Sequence, residues 1–132
     1  IAQDTLSAAS NELQRRFAPK ISQRAQDIFT KLTAGRYDRF ILEQDLNVSA
    51  GATDEIGVHT SLWRSDGTID QLYLALRLAV AEELTPDAPL VLDDALVRFD
   101  DVRLKTAMHI LRECGQDKQI LLFTCQEREL NA

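Results

Sequence analysis

The sequence predicts an α/β lobe: a long N-terminal helix, a small β meander and a βαβ unit. Three observations predict it. Apolar residues recur at steps of seven and four through the first quarter of the chain. Short β-favouring runs follow, divided by polar and glycine-containing stretches. Two apolar runs, Leu90-Val91-Leu92 and Ile120-Leu121-Leu122-Phe123, then flank a helical segment, as parallel strands joined by a crossover do. With 132 residues, 45% of them hydrophobic and 27% charged, the chain can bury one core and is too apolar to stay disordered.

Residues 5–32 read as helix, with Leu6, Leu13, Phe17, Ile21, Ile28 and Leu32 forming one apolar stripe. Pro19 is expected to kink or break it, because proline removes a helical donor and clashes with the preceding turn. Ala34-Gly35 ends the segment, so 1–33 reads as a helical unit and 34–132 as the lobe. Phe40-Ile41-Leu42, Leu46-Asn47-Val48 and Ile56-Gly57-Val58-His59 read as strands of an antiparallel meander, with Gln44-Asp45 and Ser49-Ala50-Gly51-Ala52 as separators. Residues 68–83 are apolar on most faces, which predicts a helix engulfed by its surroundings. Pro86 and Pro89 mark a loop. Leu90-Val91-Leu92 then reads as a buried strand. Asp101–Cys114 reads as helix, with Leu104, Met108 and Leu111 on one face and Gly115 as its stop. Residues 119–124 form the second buried strand.

The net charge of −6 argues against a broad nucleic-acid face. The charge is uneven: up to Arg39 seven Lys/Arg stand against four Asp/Glu, and beyond it eight against seventeen. Phosphate-backbone contact would use Arg15, Arg16, Lys20, Arg24 and Lys31, which equally suit a solvated helix face. No apolar run is long enough to span a membrane, and no leader is visible at Ile1. The chain does not begin with Met, which suggests a piece of a longer protein. Cys114 and Cys125 lack metal-ligand spacing, as expected of a cytoplasmic protein with free thiols. His59 and His109 have no ligand set beside them, and Trp63 and Tyr73 read as packing residues.

Chemistry can sit at three places. Asp93 and Asp94 close an apolar strand, at the edge where open α/β sheets build their sites. One such carboxylate can serve a Mg²⁺ shell while its neighbour turns to an attacking water. Asp100-Asp101 begin a helix, where an aspartate also serves as cap. Ser65-Asp66-Gly67-Thr68-Ile69-Asp70-Gln71 place a hydroxyl and a glycine at the mouth of a long helix. There, free N–H groups and the helix dipole favour an anion; a plain capped turn is the simpler alternative.

The order of these features resembles the C-terminal lobe of ABC-type ATPases, and most closely the SMC/RecF/RecN and double-strand-break-repair group. Asp70-Gln71-Leu72-Tyr73-Leu74-Ala75-Leu76-Arg77-Leu78-Ala79, Pro89-Leu90-Val91-Leu92-Asp93-Asp94 and Leu122-Phe123-Thr124-Cys125 are similar to a bacterial SMC-like branch, the YhaN-like proteins. The resemblance spans residues 18–131. It implies half of an ABC-type, P-loop NTPase-like head, with the N-terminal helix as the returning end of a coiled coil.

The resemblance also implies roles. Ser65, Gly67 and Thr68 stand at the signature motif, which in the family meets the γ-phosphate of ATP held by the opposite subunit, and Gln71 closes that motif. Asp93 stands at the Walker B aspartate that supports Mg²⁺. Asp94 stands at the catalytic carboxylate, usually Glu in the family. Asp100 stands at the D-loop aspartate. Gln126 is the candidate for the switch position, where the family often has histidine; Arg64 stands where many relatives have Leu. No Gly-x-x-x-x-Gly-Lys-Ser/Thr run occurs, so nothing here can grip phosphates in the P-loop manner. The implied partners are the N-terminal lobe, a second copy of the head, and DNA for the whole protein, with ATP and Mg²⁺ as cofactors and no membrane. Two alternatives remain: a non-catalytic dimerisation or partner-binding module, and a free-standing metal phosphohydrolase or nuclease using Asp93, Asp94, Asp100 and Asp101.

Overall fold

Residues of high helix propensity fill the first segment, and α1 (Ala2–Leu32) runs through it unbroken. The computed structural model describes residues 2–36, 39–42, 48–51 and 66–132. Of the kink or break expected at Pro19, the break does not occur. Pro19 is exposed beside exposed Arg15 and Arg16, so water can take the acceptor that the missing N–H leaves over. Among the stripe's described side chains, Phe17 is half-buried against the core and those from Ile21 onward are buried. Ile21, Ala25, Ile28, Phe29 and Leu32 are buried, whereas Leu6 is 72% exposed.

β1 (Arg39–Leu42) and β2 (Val48–Gly51) pair antiparallel, Arg39 opposite Gly51 and Leu42 opposite Val48. Ser49-Ala50-Gly51, expected as a separator, is therefore strand. Pairing across the ladder overrides the weak strand preference of small residues. The third expected strand, Ile56-Gly57-Val58-His59, lies outside the described residues, as do Trp63, Arg64 and Ser65.

α2 (Asp66–Leu84) lies against α1, with Leu72, Ala75, Leu78 and Ala79 buried in the common core. It is not engulfed: Tyr73, Val80 and Leu84 are 59%, 40% and 46% exposed, and with exposed Arg77 they follow one helical face. β3 (Leu90–Asp93), α3 (Asp101–Cys114) and β4 (Ile120–Phe123) form the expected strand–helix–strand unit. Its strands are parallel neighbours in register from Leu90–Ile120 to Asp93–Phe123. The strands are covered on one face rather than two. The pleat turns Leu92 inward and leaves Val91, Leu121 and Phe123 at 55%, 40% and 57% exposure.

Asp100 caps α3 by accepting the Arg103 N–H at 2.9 Å. Gly115 ends it in right-handed geometry (φ −69°), its N–H bonding the Leu111 carbonyl at 2.8 Å, so no left-handed residue is needed. A last short helix, α4 (Glu127–Leu130), follows β4.

Polar ties lock these layers. The buried Gln71 amide donates to the Leu32 carbonyl at 2.6 Å, joining the end of α1 to α2. Arg24 grips both oxygens of Glu82 at 2.5 and 3.0 Å, and the Cys114 thiol donates to the same carboxylate at 3.2 Å. Lys118 reaches the carbonyls of Thr85 and Ala88.

Candidate functional site

Strand β3 delivers Asp93 and Asp94 to the carboxyl end of the parallel pair. Asp93 is the last paired residue, opposite Phe123. Asp94 leaves the strand in the left-handed region (φ +46°), its N–H still donating to the Phe123 carbonyl at 2.9 Å. That turn takes the Asp94 carboxylate out of the pleat's alternation, as adjacent acids with separate tasks require. Its Oδ1 accepts the Cys125 N–H at 3.2 Å, so the strand end and the stretch after Thr124 meet across 31 residues. Bonding to Asp94, and the charge of that carboxylate, push the exposed Cys125 thiol above its ordinary range. Both aspartates are exposed and line a cleft of about 280 Å³ with Asp70, Tyr73, Arg77 and Arg98 on its walls.

The segment joining β3 to α3 is held by two fully buried anchors, Leu96 and Phe99. Between them Arg98 makes two bonds to Asp70 of α2, at 2.6 and 2.5 Å. Asp100 caps α3, and its second oxygen lies 3.4 Å from Arg103 Nε. The Arg103 guanidinium in turn packs over Gly67, where an added Cβ would collide with it. Gly67 and Thr68 are buried under this arrangement, so the mouth of α2 carries a cation where an anion would be welcome.

The predicted residues thus divide. Asp93, Asp94 and the backbone of Cys125 come together. Asp100, Gly67 and Thr68 gather nearby at the start of α2 and α3, bridged by Arg103. Gln71 belongs to neither group, its side chain being spent inside on Leu32. Gln126 donates its N–H to Thr124 Oγ1 at 3.0 Å, while its side-chain oxygen accepts from Arg128 Nε at 2.7 Å. Ser65 lies outside the described residues.

Asp93, Asp94, Asp100 and Asp101 do not gather into one cluster in the structure. Among the described residues no three His, Cys, Asp or Glu stand close enough to hold an ion, and Asp100 and Asp101 face Arg103 and Arg128 instead. Asp93 alone still suits magnesium, which takes one or two carboxylates and fills its octahedron with phosphate and water oxygens. His109 lies on exposed α3 surface, 3.5 Å from Glu113 and away from the cleft.

Sequence reasoning missed three arginines. Arg98, Arg103 and Arg128 bind the site's segments together, yet each is a lone cation in an ordinary helical or loop context. The one available signal is Arg98 set between the apolar anchors Leu96 and Phe99.

No protein-family model matches the chain. It is similar to the uncharacterised protein YhaN of Bacillus subtilis, 36% identical over 118 residues, which is 86% of this chain and 12% of that protein's length. Among solved structures its fold matches an Smc head bound to the C-winged helix domain of ScpA, with a TM-score of 0.72 at 23% identity over 92% of this chain and 39% of that one. A structure from work on ATP-driven dimerisation and DNA-stimulated activation of SMC ATPases gives 0.71 at 24% identity, over 92% and 77%. An Smc head with coiled coil and joint from Pyrococcus yayanosii gives 0.68 at 18%, over 97% and 26%. At these identities the structures speak for the fold. No described helix is long and apolar enough to cross a membrane.

Proposed function

This chain is a homologue of YhaN with the fold of SMC head domains, and on that premise we propose that it is the C-terminal portion of an SMC-like ATPase head and supplies half of an ATP site. Its half holds the acids on the water side and the turn that serves a second head. The phosphate grip comes from an N-terminal segment of the same protein. The observation that carries this reading is Asp94, turned out of β3 and fixed by the Cys125 N–H beside exposed Asp93.

Each residue then has a task. Asp94 orients the attacking water and takes its proton as the in-line displacement proceeds. Asp93 would hold the magnesium, which when bound would supply charge neutralisation for phosphoryl transfer. Ser65, Gly67 and Thr68 are assigned to the γ-phosphate held by the partner head, with Arg103 moved off Gly67 when the heads close, and Asp100 is tied to that group through Arg103. The likeness to heads studied for ATP-driven dimerisation supports a homodimer closed around ATP. Residues 1–33 are then the end of a coiled coil entering the head, with 34–132 as the lobe proper. The likeness to ATPases whose activation DNA stimulates supports DNA as what the whole protein acts on, and the proposal extends this to repair or chromosome maintenance in the cytoplasm.

A second reading has its own support. Gln126 is engaged by Arg128, and Arg103 covers Gly67, as in a head that dimerises or binds a partner without turnover. Turnover by the full-length protein separates the two. Asp94→Asn keeps the shape and the acceptor for Cys125 while removing the base, and is expected to cut steady-state ATP hydrolysis at least about a hundredfold. Equal rates for the two proteins would refute the catalytic reading.

A further inference from the structure

One short segment is bonded by arginines to both groups of site residues. On α4, Arg128 donates from Nε to Gln126 Oε1 at 2.7 Å and from Nη2 to the Val97 carbonyl at 2.8 Å, and its Nη1 lies 3.6 Å from Asp101 Oδ1. The next residue along the segment, Arg98, bonds both oxygens of Asp70. Asp70 lies three residues beyond Gly67, in α2, and its side chain is only 15% exposed. Leu96 and Phe99 on either side are fully buried, so the segment cannot swing freely between its two holders.

We propose that Arg128 and Arg98 are positioning residues that couple the two nucleotide sites of a head dimer. This rests on the function proposed above. There, Asp93, Asp94 and Gln126 serve the head's own nucleotide, while Gly67 and Thr68 serve the partner's. Arg128 holds the first group to residues 97 and 101, and Arg98 holds residue 98 to the start of α2, which bears the second. A shift of Gln126 on nucleotide binding is therefore transmitted to the turn at Gly67 through two planar, multiply bonded guanidinium groups. Lysine cannot replace either one: a single ammonium lacks the fork that spans several acceptors in fixed geometry. Partly exposed ion pairs stabilise a fold little, so their loss should alter turnover more than stability.

The test uses the full-length protein carrying Arg98→Lys, Arg128→Lys, both together, or Asp70→Ala, which cuts the Arg98 link from its other end. ATP turnover, KM, the Hill coefficient for ATP and the melting temperature are measured for each. Each single variant is expected to lower kcat about tenfold with KM within about threefold of wild type. The Hill coefficient should fall towards one, with the melting temperature unchanged. The double variant should be no slower than the worse single, as members of one linkage are. Unchanged kcat in any single variant, or single effects that multiply in the double, overturns the coupling role. Absence of turnover in the wild-type protein overturns the proposed ATPase function itself, and the coupling with it.

Discussion

Single side chains show where chemistry and stability part company. Asp94 and Asp93 were legible as a pair because two acids after an apolar strand form a pattern in sequence. The left-handed turn that separates them was not, since a positive φ at aspartate leaves no mark in residue order. Cys114 is a different case. Its burial, reinforced by its bond to Glu82, pushes the thiol up to about 11 from an ordinary 9.0. Burial raises an acid by penalising its anion, and a folded pKa above the unfolded one favours folding only while the group stays protonated. The contribution is therefore full below pH 9.0 and is lost as pH rises to about 11. Glu82 has the opposite sign: the Arg24 guanidinium holds its carboxyl below the usual range, so that support disappears as the solution is acidified through the folded value. Melting curves over alkaline pH should show the wild type losing stability relative to Cys114→Ser, which donates to Glu82 without ionising in this window. Parallel curves would mean that the thiol is not held as described.

Elements were legible where periodicity or punctuation was strong. Helix α3 matches its expected bounds, because Asp100 caps it and Gly115 closes it. The continuation of α1 through Pro19 was not legible. A proline's effect depends on whether water can reach the orphaned acceptor, which is a property of the folded surface. The separator Ser49-Ala50-Gly51 became strand for a similar reason, its pairing being supplied by β1. Gln71 is the most instructive residue at this scale. Its place in the motif suggested a ligand contact, yet its amide bonds the last carbonyl of α1 inside the core. It thereby joins the end of α1 to the helix that carries Gly67. Gln71→Leu would leave that carbonyl unsatisfied and is expected to cost about 1–3 kcal/mol of stability. Chemical denaturation of the chain measures this directly, and a loss near zero would remove Gln71 from the join.

At the scale of the whole molecule, the open face of the parallel pair is the main departure from expectation. Parallel strands are normally covered on both sides, yet Val91, Leu121 and Phe123 stand out to solvent, as do Tyr73, Val80 and Leu84 of α2. A run of apolar residues announces a strand but cannot say whether its second cover lies in the same chain segment. The proposed N-terminal segment would provide that cover. Phe123→Ser should then leave the isolated chain's melting temperature nearly unchanged, because the ring is already more than half exposed. It should also weaken capture of a co-expressed N-terminal segment at least about tenfold. Undiminished capture would place the junction elsewhere.

The division of one ATP site between two stretches of a protein is tested most directly by calorimetric titration of Mg-ATP into this chain, alone and co-purified with the segment bearing the glycine-lysine loop. The account predicts no measurable heat of binding from the chain alone and saturable binding by the joined pieces. Tight, saturable Mg-ATP binding by residues 1–132 without that segment would contradict it.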